Sequence, residues 1–340
     1  MKTSIKVVTL IAICIVVIIL GIGIGSVSVA PIDTINILIH KIFGGELSPS
    51  IDSSMVSIVW NLRVPRVLMA FIVGSALAVS GTVMQSVLKN PLASSYTLGV
   101  SSGASLGAAL IIVTGFSLPL LHMFTLPFVG LVFGVGTVIL SVNFAQRMDR
   151  NLDTNTIILV GMVFSLFINA LLTLITALSR DKVAQLTYWQ MGSFSSREWS
   201  HVLILLPIVI VGILILLNFT KEMDILTFGE DQAFNIGVDT ARMKWVLLGL
   251  ASALTGSAIS FVGVIGFIDL IAPHVVRRVF GSSHSKVVPM SMLFGGAFMV
   301  VCDIIARTIM SPKELPVGAI TALIGAPFFA YIYFSRRKVS

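Results

Sequence analysis

The sequence predicts an all-α, polytopic membrane protein of about ten spanning helices, and three observations carry that expectation. First, 56% of the 340 residues are hydrophobic, 11% are charged and the mean hydropathy is +1.03. A soluble domain carries about 25% charged residues, so this composition suits a bilayer. Second, the apolar residues fall into blocks near the ~20 residues that a helix needs to cross hydrocarbon. Third, Pro, Gly and the charged residues collect between those blocks, where turns belong.

The first block, 7–27, follows Lys2 and Lys6 as a secretory signal would. Its apolar run reaches Gly25, beyond the ~7–15 residues of a signal core, and no Ala-x-Ala site follows, so it reads as a retained helix. Residues 28–62, with Pro31, Gly44-Gly45 and Pro49, predict a short surface helix and a loop. Spans follow at 67–88, 98–118, 126–146 and 156–178. No Asp, Glu, Lys or Arg occurs between Lys89 and Arg147, so only Gly115, Pro119 and Pro127 divide the third helix from the fourth. The remaining spans are 201–219, 245–262, 264–280, 287–306 and 316–334. The eighth is short, contains Asp269 and Pro273, and ends in Arg277-Arg278.

Ten spans place both termini on one side, and the basic residues choose which. With the termini inside, fourteen of the 22 Lys and Arg face the cytoplasm and eight lie outside. That bias, reinforced by Arg336-Arg337-Lys338, predicts a multi-pass cell-membrane protein with cytoplasmic termini. The net charge of +7 is scattered between apolar blocks without a continuous basic face, so it indicates lipid headgroups and topology control rather than nucleic acid. Arg63 and Arg66 defy the bias by sitting outside, which suggests a partner for them. Cys14 and Cys302 lie inside apolar spans at opposite ends of the chain and read as core hydrophobes, not a disulfide or metal pair.

Residues 220–244, inside, mix charges with an amphipathic series: Ile225, Leu226, Phe228, Ala233, Phe234 and Ile236. Gly229 and Gly237 punctuate it, predicting two short helices joined at Gly237. A solvated loop needs no apolar face, whereas one that docks into another protein does. Elsewhere small residues are dense. Gly103 and Gly107 form a small-xxx-small pair, and Ser101, Ser102 and Gly103 open a helix that either packs closely or offers hydroxyls to a passing polar ligand.

Several stretches together carry a family resemblance. They are Leu62-Arg63-Val64-Pro65-Arg66, Gly81-Thr82-Val83-Met84-Gln85, Lys89-Asn90-Pro91-Leu92-Ala93 and Leu98-Gly99-Val100-Ser101-Ser102-Gly103-Ala104. Further along come Gly229-x3-Ala233-x3-Gly237-Val238, Pro273-His274-x2-Arg277, Asp303-x3-Arg307, Glu314-Leu315-Pro316-Val317-Gly318 and Gly325-Ala326-Pro327-Phe328-Phe329. In this order the chain resembles, over nearly its whole length, the permease subunits of iron-siderophore, haem and cobalamin ABC importers. The resemblance implies a type II ABC importer permease fold, with residues 1–340 as one transmembrane domain. It also implies pairing with a second copy or a paralogue, two cytoplasmic ATPase subunits that use the ATP, and an extracellular binding lipoprotein. Arg63, Arg66 and Arg307 match outward-facing arginines that receive acidic residues of the binding protein. Residues 220–244, including Leu226, Phe228, Gly229, Ala233, Phe234 and Gly237, match coupling helices seated on the ATPase. The implied cargo is an iron(III) siderophore, hydroxamate or related, with haem or cobalamin as the alternative. No cofactor is expected on this chain.

Two positions depart from the pattern. The family usually has proline at Val264 and glycine at Asp269. An acid in a membrane helix is functional by default, yet Asp269 also suits an N-terminal cap or a local ion pair, and a place on the dimer seam is a further option. An ion-coupled secondary transporter is a rival, with Asp269 and Asp303 as its only candidate acids. The chain has no Gly-x4-Gly-Lys-Ser/Thr loop. Its five histidines show no metal-ligand spacing, and no serine sits in a nucleophile motif, so no enzyme chemistry is expected.

Overall fold

A computed structural model describes residues 3–25, 29–45, 47 and 51–337, and among the described residues the chain is helical with no strand. Helix α1 (Thr3–Gly23) precedes α2 (Pro31–Phe43) and α3 (Ser53–Ser57), which runs through a π-helical stretch, Ile58–Arg63, into α4 (Val64–Val87). Next come α5 (Val100–Thr114), α6 (Thr125–Met148), α7 (Thr154–Leu178) and the short α8 (Val183–Gln190). Helix α9 (Trp199–Asn218) leads to the short α10 (Thr220–Thr227) and α11 (Glu230–Asn235). Then follow α12 (Thr240–Val262), α13 (Ile268–Phe280), α14 (His284–Thr308) and α15 (Val317–Arg337).

Each of the ten expected spans has its helix, and seven described stretches are long and apolar enough to cross a bilayer. Two are shorter than expected. The span expected at 98–118 stops at Thr114, because Gly115 turns left-handed at φ 66° and its N–H closes on Ile111 O. The span expected at 264–280 loses its first turn: Gly263, at φ 82°, ends α12, and helix resumes only at Ile268. At ~1.5 Å per residue, α5 and α13 reach about 20 Å, short of the ~30 Å of hydrocarbon.

The irregular backbone beside those two helices is tolerated because each piece satisfies the other. The Ser94 hydroxyl donates to Asp269 Oδ2, and the Tyr96 hydroxyl donates to Ile265 O. Thr255 Oγ1, on α12, donates to Ser95 Oγ at 2.8 Å.

Helix α4 is the axis of the bundle: 89% of its span is buried, against 17% for α1 and 28% for α7. It lies against α14 at a crossing built from glycines, where a Cβ on Gly74 would come within 2.3 Å of Gly295 O. Ser75 Oγ donates to Met292 O at 2.9 Å and Thr82 Oγ1 to Ser291 Oγ at 3.1 Å. On its other flank, Ser80 Oγ reaches Ala251 O of α12 at 2.9 Å. Such bonds average ~0.6 kcal/mol each in a bilayer, so the three contribute on the order of 2 kcal/mol. The periphery is apolar instead: Leu166 and Phe167 of α7 and Leu203 of α9 are exposed. A polar-lined interior inside an apolar rim suits lipid as solvent.

Candidate functional sites at the two ends of the bundle

At the end where α4 begins and α14 finishes, Arg63, Arg66 and Arg307 line one cavity of ≈ 410 Å³. The sequence separates them widely; the α4–α14 crossing brings them together. They are not open forks. Arg63 and Arg307 are each 6% exposed, and each is drawn onto the C-terminal carbonyls of α1. Arg63 Nη1 donates to Ile22 O at 3.1 Å and Gly23 O at 2.7 Å, and Arg307 Nη2 donates to Gly21 O. Those carbonyls have no partner within α1 and carry its negative dipole end, so cations suit them. Arg66 forks onto Asp303, with Nη2 at 2.8 Å and Nε at 3.1 Å, and its Nη1 donates to Glu314 Oε1 at 2.7 Å. Arg307 Nε lies 3.5 Å from Asp303 Oδ2. The expectation of outward-facing arginines is therefore corrected in one respect. They meet at one mouth, but each is engaged within the subunit, with Arg307 Nε left without a hydrogen-bond partner beside Asp303.

A fourth arginine that the sequence did not single out, Arg197, lines the same cavity from the turn before α9. Its Nε is buried without a hydrogen-bond partner, and burial pushes its pKa down. Only the outer-side charge count could have flagged it. The turn is held from behind: Glu198 and His201 cap α9 reciprocally, and Trp199 Nε1 donates to Trp60 O at 2.9 Å.

The opposite end carries α10 and α11. The break between them falls at Gly229, not at Gly237 as expected. Gly229 adopts φ 127°, which a side chain would oppose, while Gly237, at φ 91°, separates α11 from α12. The apolar series splits in two. Leu226 and Ala233 are buried and anchor the helices to the body, whereas Phe228 projects outward, 72% exposed. The Phe234 side chain lies outside the described residues.

Asp224 of α10 ties this element to the core. Its Oδ1 accepts from the His284 backbone N–H at 3.0 Å and from the ring Nδ1 at 2.6 Å, and Ser283 Oγ donates to its Oδ2 at 3.3 Å. His284 Nε2 in turn meets Ser86 Oγ on α4. Arg277 of α13 closes the network, donating to Gln85 Oε1 at 2.5 Å. These groups line a cavity of ≈ 640 Å³ together with Lys89 and Phe228.

The Ser86–His284–Asp224 order matches the contacts of a hydrolytic triad, but its surroundings do not. Ser86 is buried inside a helix with the Thr82 carbonyl as a competing acceptor at 3.0 Å. Helical N–H groups around it are spent on the helix, and its Oγ already accepts from Arg277 Nη2 at 3.4 Å.

The remaining sequence candidates lie inside the subunit. A Cβ on Gly103 would come within 2.3 Å of Thr137 Oγ1, Ser102 is buried, and Ser101 is half-buried, so close α5–α6 packing accounts for this stretch. Asp269, 1% exposed, sits in the first turn of α13 with Ser94 as its donor and faces the interior rather than a seam. Among the described residues no group of three or more His, Cys, Asp or Glu could hold a metal ion.

The comparisons with known proteins agree with this architecture. Residues 13–335 match the FecCD transport family. An ABC transporter permease of Bacillus subtilis is 40% identical across 88% of this chain and 84% of its own length. A cobalamin import permease of Halobacterium salinarum is 39% identical across 82% and 74%, respectively. Permeases for hemin, molybdate and Fe(3+) dicitrate are 33% to 36% identical. A solved inward-facing structure of a metal-chelate type ABC transporter superposes with a TM-score of 0.84 at 30% identity, covering 96% of this chain and 98% of that one. Matched along nearly its full length by profile, sequence and fold, this integral membrane permease belongs to the FecCD transport family.

Proposed function

We propose that the chain is the membrane-spanning half of an ATP-driven importer for an iron(III) chelate, a hydroxamate siderophore or a related ferric complex. Its termini lie in the cytoplasm. A binding lipoprotein delivers the chelate to the arginine cavity, and a second permease copy or paralogue completes the pathway. Two ATPase subunits dock on α10 and α11. The observation that carries the reading is the near-complete superposition on a metal-chelate transporter. The site chemistry supports it. One end offers a cationic mouth suited to carboxylates, and the other offers exposed Phe228 on a short helix wired to the core. The likeness to cobalamin and hemin permeases favours haem or cobalamin as the second reading. Asp303 bound to Arg66 leaves an ion-coupled carrier without a free acid there, and transport that survives a proton ionophore but stops without the ATPase excludes that rival.

The test is uptake into proteoliposomes holding the assembled transporter, with a ferric hydroxamate, hemin and cyanocobalamin offered separately. Uptake of the ferric hydroxamate alone supports the assignment, and uptake of either porphyrinoid instead overturns it. Arg66→Glu should weaken binding-protein docking while leaving ATPase assembly intact. Docking unchanged at low salt would remove the arginine cavity from the mechanism.

A further inference from the structure

The cationic cavity is not neutral. Four arginines line it, and two acids face them, Asp303 and Glu314. The acids are not shared evenly. Asp303 is spent on Arg66 and Arg307, and Glu314 on Arg66. Arg63 and Arg307 also sit on the carbonyl end of α1. Arg197 is different. It is half-buried, its Nε, like that of Arg307, has no hydrogen-bond partner, and among the described residues neither a carbonyl nor an acid takes the rest of its fork. A guanidinium in that condition is a destabilising feature of the isolated subunit unless something fills its fork.

The turn that carries Arg197 is rigid, which argues against a side chain that simply awaits repacking. Phe194 is buried beneath it, the α9 capping box follows it, and Trp60 and Trp199 pack with centroids 5.0 Å apart behind it. The fork is therefore presented to the cavity by a fixed scaffold, the arrangement that bidentate carboxylate recognition requires.

The geometry points to Arg197 as the cation that takes the partner's first carboxylate, with the occupant an acidic side chain of the delivering protein. This rests on the docking reading above and refines it. The three arginines that the family pattern marks shape the mouth and set its field, while Arg197 supplies the open fork. Glu314, at the exposed rim, neutralises Arg66 until a partner arrives.

Arginine-selective labelling tests the assignment with a model acidic peptide in place of the delivering protein. The assembled transporter in nanodiscs is treated with phenylglyoxal at low salt, alone or with hexaglutamate or hexaglutamine peptide, and the adducts are mapped by mass spectrometry. Arg197 should react faster than Arg63, Arg66 and Arg307, whose forks are held by the α1 carbonyls and by Asp303. Hexaglutamate should protect Arg197 and hexaglutamine should not. Equal labelling of all four arginines overturns the assignment. Protection of Arg66 and Arg63 without Arg197 also overturns it but leaves docking at the cavity intact. Protection of none of the four overturns the docking reading together with it. Arg197→Lys, which keeps the charge and loses the fork, should lose most of the hexaglutamate protection of its neighbours while the transporter elutes unchanged in size-exclusion chromatography.

Discussion

Arg66 holds two acids that differ in one respect, and that difference predicts opposite outcomes for two nearly isosteric substitutions. Asp303 is 1% exposed and accepts from Arg66 Nη2 at 2.8 Å and from its Nε at 3.1 Å, with Arg307 Nε 3.5 Å away. Glu314 is 34% exposed and accepts one bond at 2.7 Å. Asp303→Asn leaves the buried Arg307 and the half-buried Arg66 without their shared charge, and breaking a buried pair costs about 3–5 kcal/mol. Glu314→Gln removes a rim pair, which water and salt already screen, so its loss costs about 0–1 kcal/mol. The reporter is at hand, because Trp60 and Trp199 pack against each other, tilted by 40°, next to this cavity. Unfolding of the purified permease by SDS, followed through tryptophan fluorescence, should show Asp303→Asn shifted strongly and Glu314→Gln nearly unmoved. Replacing both Arg66 and Asp303 by leucine should recover only the part of the Asp303→Asn loss owed to Arg66, since Arg307 stays buried without its acid. Equal destabilisation by the two single substitutions would refute the reasoning, because burial would then not be what separates them.

Two further predictions concern the other end. Phe228→Asp should lower ATPase association about tenfold, the effect of one lost anchor, and leave the permease fold unchanged, whereas Leu226→Ala, buried, should destabilise the permease by about 2–5 kcal/mol. ATPase pull-down combined with thermal stability reads both, and a reversed pattern would show that the wrong face was assigned to docking. Asp224→Asn weakens the acceptor that holds the His284 ring and the α14 N-terminus, so ATP hydrolysis should continue while transport per ATP falls. An unchanged transport-to-hydrolysis ratio in proteoliposomes would mean that Asp224 is only a cap.

The helices are legible in the sequence because composition alone separates hydrocarbon-length apolar blocks from turns. Their truncation is not. Whether Gly115 continues α5 or turns left-handed depends on packing around it, and apolar periodicity runs straight through Gly263 in the same way. The arginines are legible as residues that must have partners, but not their partners. Arg66 and Asp303 lie 237 residues apart, and nothing local to either announces the other. The amphipathic pattern of 220–244 is apolar as expected, but it does not form one face. A single pattern serves two surfaces, with Leu226 turned into the body and Phe228 turned away from it. In the sequence Asp224 is only a charge, because its acceptor role depends on a helix that starts sixty residues later.

Those long-range pairs give the two ends a physical connection. Helices α4 and α14 run past one another and are fastened three times. Ser86 and His284 join them near α10, the Gly74–Gly295 contact with the Ser75 and Thr82 bonds joins them at mid-depth, and Arg66 with Asp303 joins them at the arginine cavity. With 25 residues at ~1.5 Å rise, α14 reaches about 37 Å, enough to carry a displacement from one face of a bilayer to the other. Two helices pinned at both ends and locked by backbone contact between them cannot slide past each other without breaking a buried ion pair. A movement of α10 carried through Asp224 is therefore expected to reach the arginine cavity as a shift of the pair as a unit. If the proposed docking sites hold, linkage demands reciprocity: whatever factor the ATPase state applies to docking affinity at Arg66 and Arg197, docking must apply to the ATPase equilibrium at α10. Ser75→Ala, which loosens the mid-depth fastening without touching either surface, should lower both factors together.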